Sequence, residues 1–146
     1  MLPSGQRWPL LVASLWWGGM TALSFVAVPM LFAQLGNPVV AGPVAAKLFQ
    51  VQSWASVGLA LVLLLWCRFR AAPVLLRTLL PWLLLAALAG LVQEFGVAQR
   101  IVLARSTGDS VALWHRIGTG LVLTQWLCAL RVWWRLSACA NPTPPW

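Results

Sequence analysis

Seven polar side chains stand where this chain could do chemistry: Lys47, Gln50, Gln93, Glu94, His115, Arg116 and Thr119. Glu94 is the sharpest of them. It follows PWLLLAALAG (Pro81 to Gly90), a stretch without charge, and apolar residues resume after it. A carboxylate in such a segment is costly unless it is paired or hydrated. It therefore marks either a functional site or a device that fixes helix packing. Glu94 and His115 together could exchange protons. Lys47 and Arg116 offer cations, and Gln50, Gln93 and Thr119 offer neutral donors and acceptors. Spacing groups these residues. Lys47, Gln50 and Trp54 follow i, i+3, i+7; Ala86, Gly90 and Glu94 follow i, i+4, i+8; His115 and Thr119 follow i, i+4. Each set shares one helix face. Small residues mark faces where membrane helices approach closely, so Glu94 is expected to point inward, with Lys47 or Arg116 as its partner.

Other chemistries lose support. His115 is the single histidine, which excludes a three-histidine zinc site or a bis-histidine haem within one chain. Copper on His115 with Met20 or Met30 is disfavoured, because methionines in apolar helices usually pack. Cys67, Cys128 and Cys139 are odd in number and lack CxxC spacing, so they read as reduced packing thiols. No nucleophile stands at a recognisable spacing and no Gly-rich phosphate loop occurs. Ser53 and Ser56 read as helix-contact residues. The expectation is a protein that is not an enzyme, with no catalytic residue, metal or cofactor.

The elements that must position these side chains follow from composition. The chain has 146 residues, 61% hydrophobic and 8% charged, with 11 Trp and no Tyr. Charged residues make up roughly 25% of an average soluble domain, so this composition indicates an integral membrane protein whose principal partner is the lipid bilayer. The net charge of +8 does not imply nucleic acid, since the arginines sit singly or in pairs between apolar runs. Hydropathy predicts an all-α bundle of four antiparallel transmembrane helices over about 9–33, 44–67, 78–103 and 113–136. The first span is expected to be retained, because its apolar stretch is too long for a signal peptide and no cleavage site closes it. Gln34 to Pro43, Arg68 to Arg77 and Arg105 to Ser110 are read as the loops. Residues 1–139 form one domain, and 140–146 a disordered proline-rich tail. Pro29 either bends the first helix near its end or stops it there.

Arginine placement sets direction. Arg7, Arg68, Arg70, Arg77, Arg131 and Arg135 fall on one side; Lys47, Arg100, Arg105 and Arg116 fall on the other, with Glu94 and Asp109. The positive-inside bias puts both termini in the cytoplasm of a bacterial inner membrane. Trp8, Trp66, Trp82, Trp133 and Trp134 mark the inner boundary as an aromatic belt would. Thr21 and Ser24 on the first helix, and Gln52 and Ser53 on the second, then share the outer level with the seven polar residues.

Three blocks resemble a known group: FVAVPMLFAQL (Phe25 to Leu35), AGPVAAKLF (Ala41 to Phe49) with Trp54, and VALWHRIGTG (Val111 to Gly120). Together they are similar to the small bacterial transmembrane-protein-205-like family, a domain-of-unknown-function group of four-helix membrane proteins. The resemblance places that family's pattern on Pro29, Leu31, Phe32, Ala41, Gly42, Leu48, Phe49 and His115. Arg116 departs from it, standing where a small residue is usual. The group has no established reaction, so the resemblance implies architecture more than mechanism. The functional expectation is small-molecule or ion handling through a polar pocket in the outer half, with an unidentified ligand. Four helices are few for a transport path, so a homo-oligomer or a partner membrane subunit would complete it. The alternative is a structural or accessory subunit whose polar layer only fixes packing.

Overall fold

The computed structural model describes residues 7–101, 103 and 110–140. Arg105, Asp109 and the tail beyond Ala140 lie outside the described residues. Four helices pack side by side: α1 (Trp8–Leu35), α2 (Pro38–Arg70), α3 (Pro73–Ile101) and α4 (Val111–Ala140). Neighbours run antiparallel. Trp8 at the start of α1 meets Trp66 near the end of α2, and Arg131 late in α4 covers Trp82 early in α3. We call the half near the chain termini proximal and the half near the α1–α2 turn distal. The helices α1, α2 and α3 are each long and apolar enough to cross a membrane. The fourth packs in the same bundle but carries His115, Arg116, Arg131 and Arg135 along its length.

The turns are tighter than their composition suggests. Gln34 to Pro43 is mostly helical, and only Gly36 and Asn37 break it. Gly36 ends α1 at φ +61°, a left-handed conformation that suits glycine. Asn37 then caps α2, its side chain accepting from the Val39 N–H at 2.9 Å, and Pro38 occupies the first helical position. Arg68 to Arg77 contracts likewise to Ala71 and Ala72, with Pro73 opening α3. A proline at a helix start reads in sequence as a loop, yet it costs nothing there, because that N–H would be free anyway.

Two stretches widen into π-helix: Leu23–Ala27 in α1 and Gln93–Ala98 in α3. The first lies just before Pro29. That ring donates no N–H and crowds the carbonyl four residues back, and the wider turn accommodates both. The Val28 N–H reaches Leu23 O, five residues back. Pro29 therefore does not stop the helix, which continues to Leu35.

The proximal half holds the core. Ala13, Trp16 and Met20 of α1 pack with Ala60, Leu63 and Trp66 of α2, Leu79, Leu83 and Ala86 of α3, and Cys128, Val132 and Leu136 of α4. At Gly90 α3 approaches α2 closely: a Cβ there would stand 2.8 Å from Val57 Cγ2 and 3.2 Å from the Ser53 carbonyl oxygen. Indole N–H groups tie the helices together. Trp16 donates to Ser56 Oγ at 3.0 Å, Trp126 to Thr21 Oγ1 at 2.9 Å and Trp133 to Ser14 Oγ at 3.0 Å. A donor left open in an apolar interior is costly, and a hydroxyl on the facing helix removes that cost. The expected aromatic belt is only partly realised. Trp66 is buried in the core and Trp133 is stacked on Trp17, leaving Trp8 and Trp134 exposed among the five. Thr21 likewise serves as a helix tie and not as part of the distal polar level.

Candidate binding pocket

The distal half encloses a cavity of about 480 Å³ between all four helices. Val28 and Phe32 line it from α1, and Gly42, Pro43, Lys47, Phe49 and Gln50 from α2. Gln93, Glu94, Ala98 and Ile101 complete it from α3, with His115, Gly118, Thr119 and Val122 from α4. Six of the seven sequence-derived residues therefore share one cavity: Lys47, Gln50, Gln93, Glu94, His115 and Thr119. Arg116 does not line it and is exposed. On α4 the residues at i+3 and i+4 from His115, Gly118 and Thr119, share its pocket-facing stripe, and Arg116 lies one step off that stripe. Trp54 does not line the cavity either and meets Phe95 edge-on at 5.9 Å.

Local bonding shows what each polar group is already doing. Lys47 Nζ donates to Gln50 Oε1 at 3.2 Å, one turn along α2. Thr119 Oγ1 donates to the His115 carbonyl at 2.9 Å. Glu94, half-buried, makes no ion pair or hydrogen bond through its side chain among the described residues. The expected ion pair with Lys47 or Arg116 is thus absent there. Lys47 spends its ammonium on its own helix, and Arg116 points away from the cavity. Arg100 instead lies over the Trp114 ring at 5.7 Å.

Beneath the cavity lies a polar level that the sequence spacing only partly revealed. The Gln93 amide packs over Gly118, its Nε2 3.4 Å from where a Cβ would be. On α4 the positions Gly118, Val122 and Gln125 follow i, i+4, i+7, so Gln125 lies on the same face one turn deeper. Gln125 is 0% exposed, and its Oε1 sits 3.6 Å from the Cβ position of Gly90, beside Ser53. Neither atom of the Gln125 amide nor Ser53 Oγ has a partner among the described residues; the same holds for the Gln52 amide and Gln93 Oε1. Gln125 was missed because it is uncharged and lies at no spacing shared with His115 and Thr119. An amide alone inside LVLTQWLCAL was the available signal. Phe32, Phe49 and Gly42 entered only through the family resemblance, and they form the apolar wall.

A model for a domain of unknown function, DUF4149, matches residues 11–110. The chain belongs to the DUF4149 family. The match covers the Phe25 to Leu35 and Ala41 to Phe49 blocks and stops before His115. It supports membership of an uncharacterised domain family, which is coarser than the transmembrane-protein-205-like resemblance. No curated protein and no solved structure matches the chain.

Proposed function

We propose that this DUF4149 protein is a four-span bacterial inner-membrane protein that takes up a small molecule into its distal cavity. Both termini would lie in the cytoplasm, consistent with the proximal arginines Arg68, Arg70, Arg77, Arg131 and Arg135. The closer kinship with transmembrane-protein-205-like proteins belongs to the same proposal and rests on the three sequence blocks. One observation carries the binding reading. Glu94 and Lys47 line one cavity from different helices, yet no ion pair joins Glu94 to any described residue. Opposite charges that only fixed helix register would be in contact, because their mutual attraction is what offsets desolvation. Charges held apart around a cavity are available to a third body. The cavity volume also lies within the roughly 300–1,000 Å³ usual for ligand sites, and the wall is mostly apolar with a few polar groups.

The test is the thermal and denaturant unfolding of wild type and Glu94→Gln in detergent. Gln keeps the shape and removes the charge. The binding reading expects a change within about 0.5 kcal/mol, because no described partner is orphaned. A loss of ~3–5 kcal/mol would instead reveal a structural ion pair and return the protein to the accessory-subunit class.

A further inference from the structure

Beside the cavity, α1 and α4 no longer pack on each other as they do in the proximal half. Along Trp8–Ala22, α1 packs on α4 and buries Pro9, Ala13, Trp16 and Met20. Past Thr21 the relation changes. Phe25 meets Trp126 of α4 edge-on at 6.1 Å, and Val28–Leu35 packs chiefly on α2. No residue from Leu23 to Leu35 is buried. The π turn and Pro29 thus mark the level at which α1 parts from α4. Above it, Val28 and Phe32 face Gly118, Thr119 and Val122 across the cavity, and Phe32 is 38% exposed. In a bilayer such a gap meets acyl chains, so an apolar tail can lie in it at no desolvation cost.

We infer that the ligand is an amphiphile drawn from the distal leaflet, entering between α1 and α4, with a head group that carries both an ammonium and an anion. This rests on the binding reading above. The head follows from the charges. Glu94 offers a carboxylate without a described partner, and Lys47, with His115 nearby, offers donors to an anion. A purely anionic head would leave Glu94 unanswered and a purely cationic one would face Lys47; a zwitterion satisfies both walls. The tail follows from the wall, where Val28, Phe32 and Val122 continue the apolar surface from the cavity to the lipid-facing gap.

The experiment uses the full chain in detergent and follows the midpoint of thermal unfolding during titration. Three probes are compared: a lysophosphatidylethanolamine, a lysophosphatidylglycerol of equal chain length, and the chainless soluble head glycerophosphoethanolamine. Stabilisation through ligand linkage reports affinity. The expected order is the zwitterionic lysolipid first, the anionic one about ten-fold weaker, and the soluble head weaker still. Glu94→Gln should fold like wild type and lose the preference between the two lysolipids. Val28→Trp, which fills the gap from α1, should weaken both lysolipids. Equal stabilisation by the two lysolipids, or a preference unchanged in Glu94→Gln, overturns the zwitterion assignment. Equal stabilisation by the soluble head overturns side entry and leaves the small-molecule reading standing. No stabilisation by any probe overturns the amphiphile, and Glu94→Gln unfolding without ligand then decides the binding reading separately.

Discussion

The proximal and distal halves of this bundle are built from the same four helices and obey different rules. In the proximal half, large apolar side chains meet at full burial, and Trp16 and Trp133 each donate to a hydroxyl on another helix. In the distal half, α1 buries nothing past Ala22, charges line a cavity, and no described ion pair holds Glu94. The contrast teaches where stability is stored. A frame closed at one end can hold the other end open, because the packing that opposes chain entropy is already complete proximally. Low local stability is the condition under which a helix end can yield to a ligand.

Substitutions can break or sharpen this contrast. The largest effect is expected from Leu83→Ala in the proximal core, at about 2–5 kcal/mol, whereas Phe32→Ala in the distal wall should cost far less. Comparing the two midpoints in denaturant checks the asymmetry; equal losses would remove it. Gly90→Ala tests the boundary between the halves. Its new methyl would press on Val57 and on the Ser53 carbonyl, and a loss of about 1–3 kcal/mol is expected, read in the same unfolding assay. Ser56→Ala removes the acceptor of the Trp16 indole and should cost about 1 kcal/mol; Trp16→Phe made on top of it should add less than it does in wild type. The smallest effect concerns labelling. Thr119→Cys at the cavity should leave stability nearly unchanged, yet react with a water-soluble maleimide much faster than the buried Cys67 and Cys128. Protection of that thiol by the zwitterionic lysolipid is expected, and would place the lipid in the cavity that Thr119 lines.

Much of this architecture was legible in the sequence, and the exceptions have physical causes. Four apolar runs became four helices, and three of them are long and apolar enough to cross a membrane, where a helix satisfies its own backbone. Their ends were misjudged where Pro38 and Pro73 stand, since a proline at the first helical turn and a proline in a loop look alike in composition. The cavity wall was legible on α2, α3 and α4, because polar residues in apolar helices are conspicuous. The ion pair was not, because spacing fixes faces but not whether long side chains reach across. Lys47 found Gln50 on its own helix first. Neither π stretch was foreseen. Pro29 hinted at the one in α1, and the chain carries no such hint at Gln93–Ala98.

Ser14 and Thr21 of α1 bear on how the chain is made. Ser14 Oγ donates to Leu10 O and Thr21 Oγ1 to Trp17 O, both at 2.8 Å within the helix. Their hydroxyl protons are therefore satisfied before any other span has been translated. Only acceptor lone pairs are left, and these later receive Trp133 and Trp126 from α4. The first span can thus enter lipid with these two donors already closed, Ser24 Oγ being the hydroxyl of α1 that has no partner among the described residues, and be clasped when the last helix arrives.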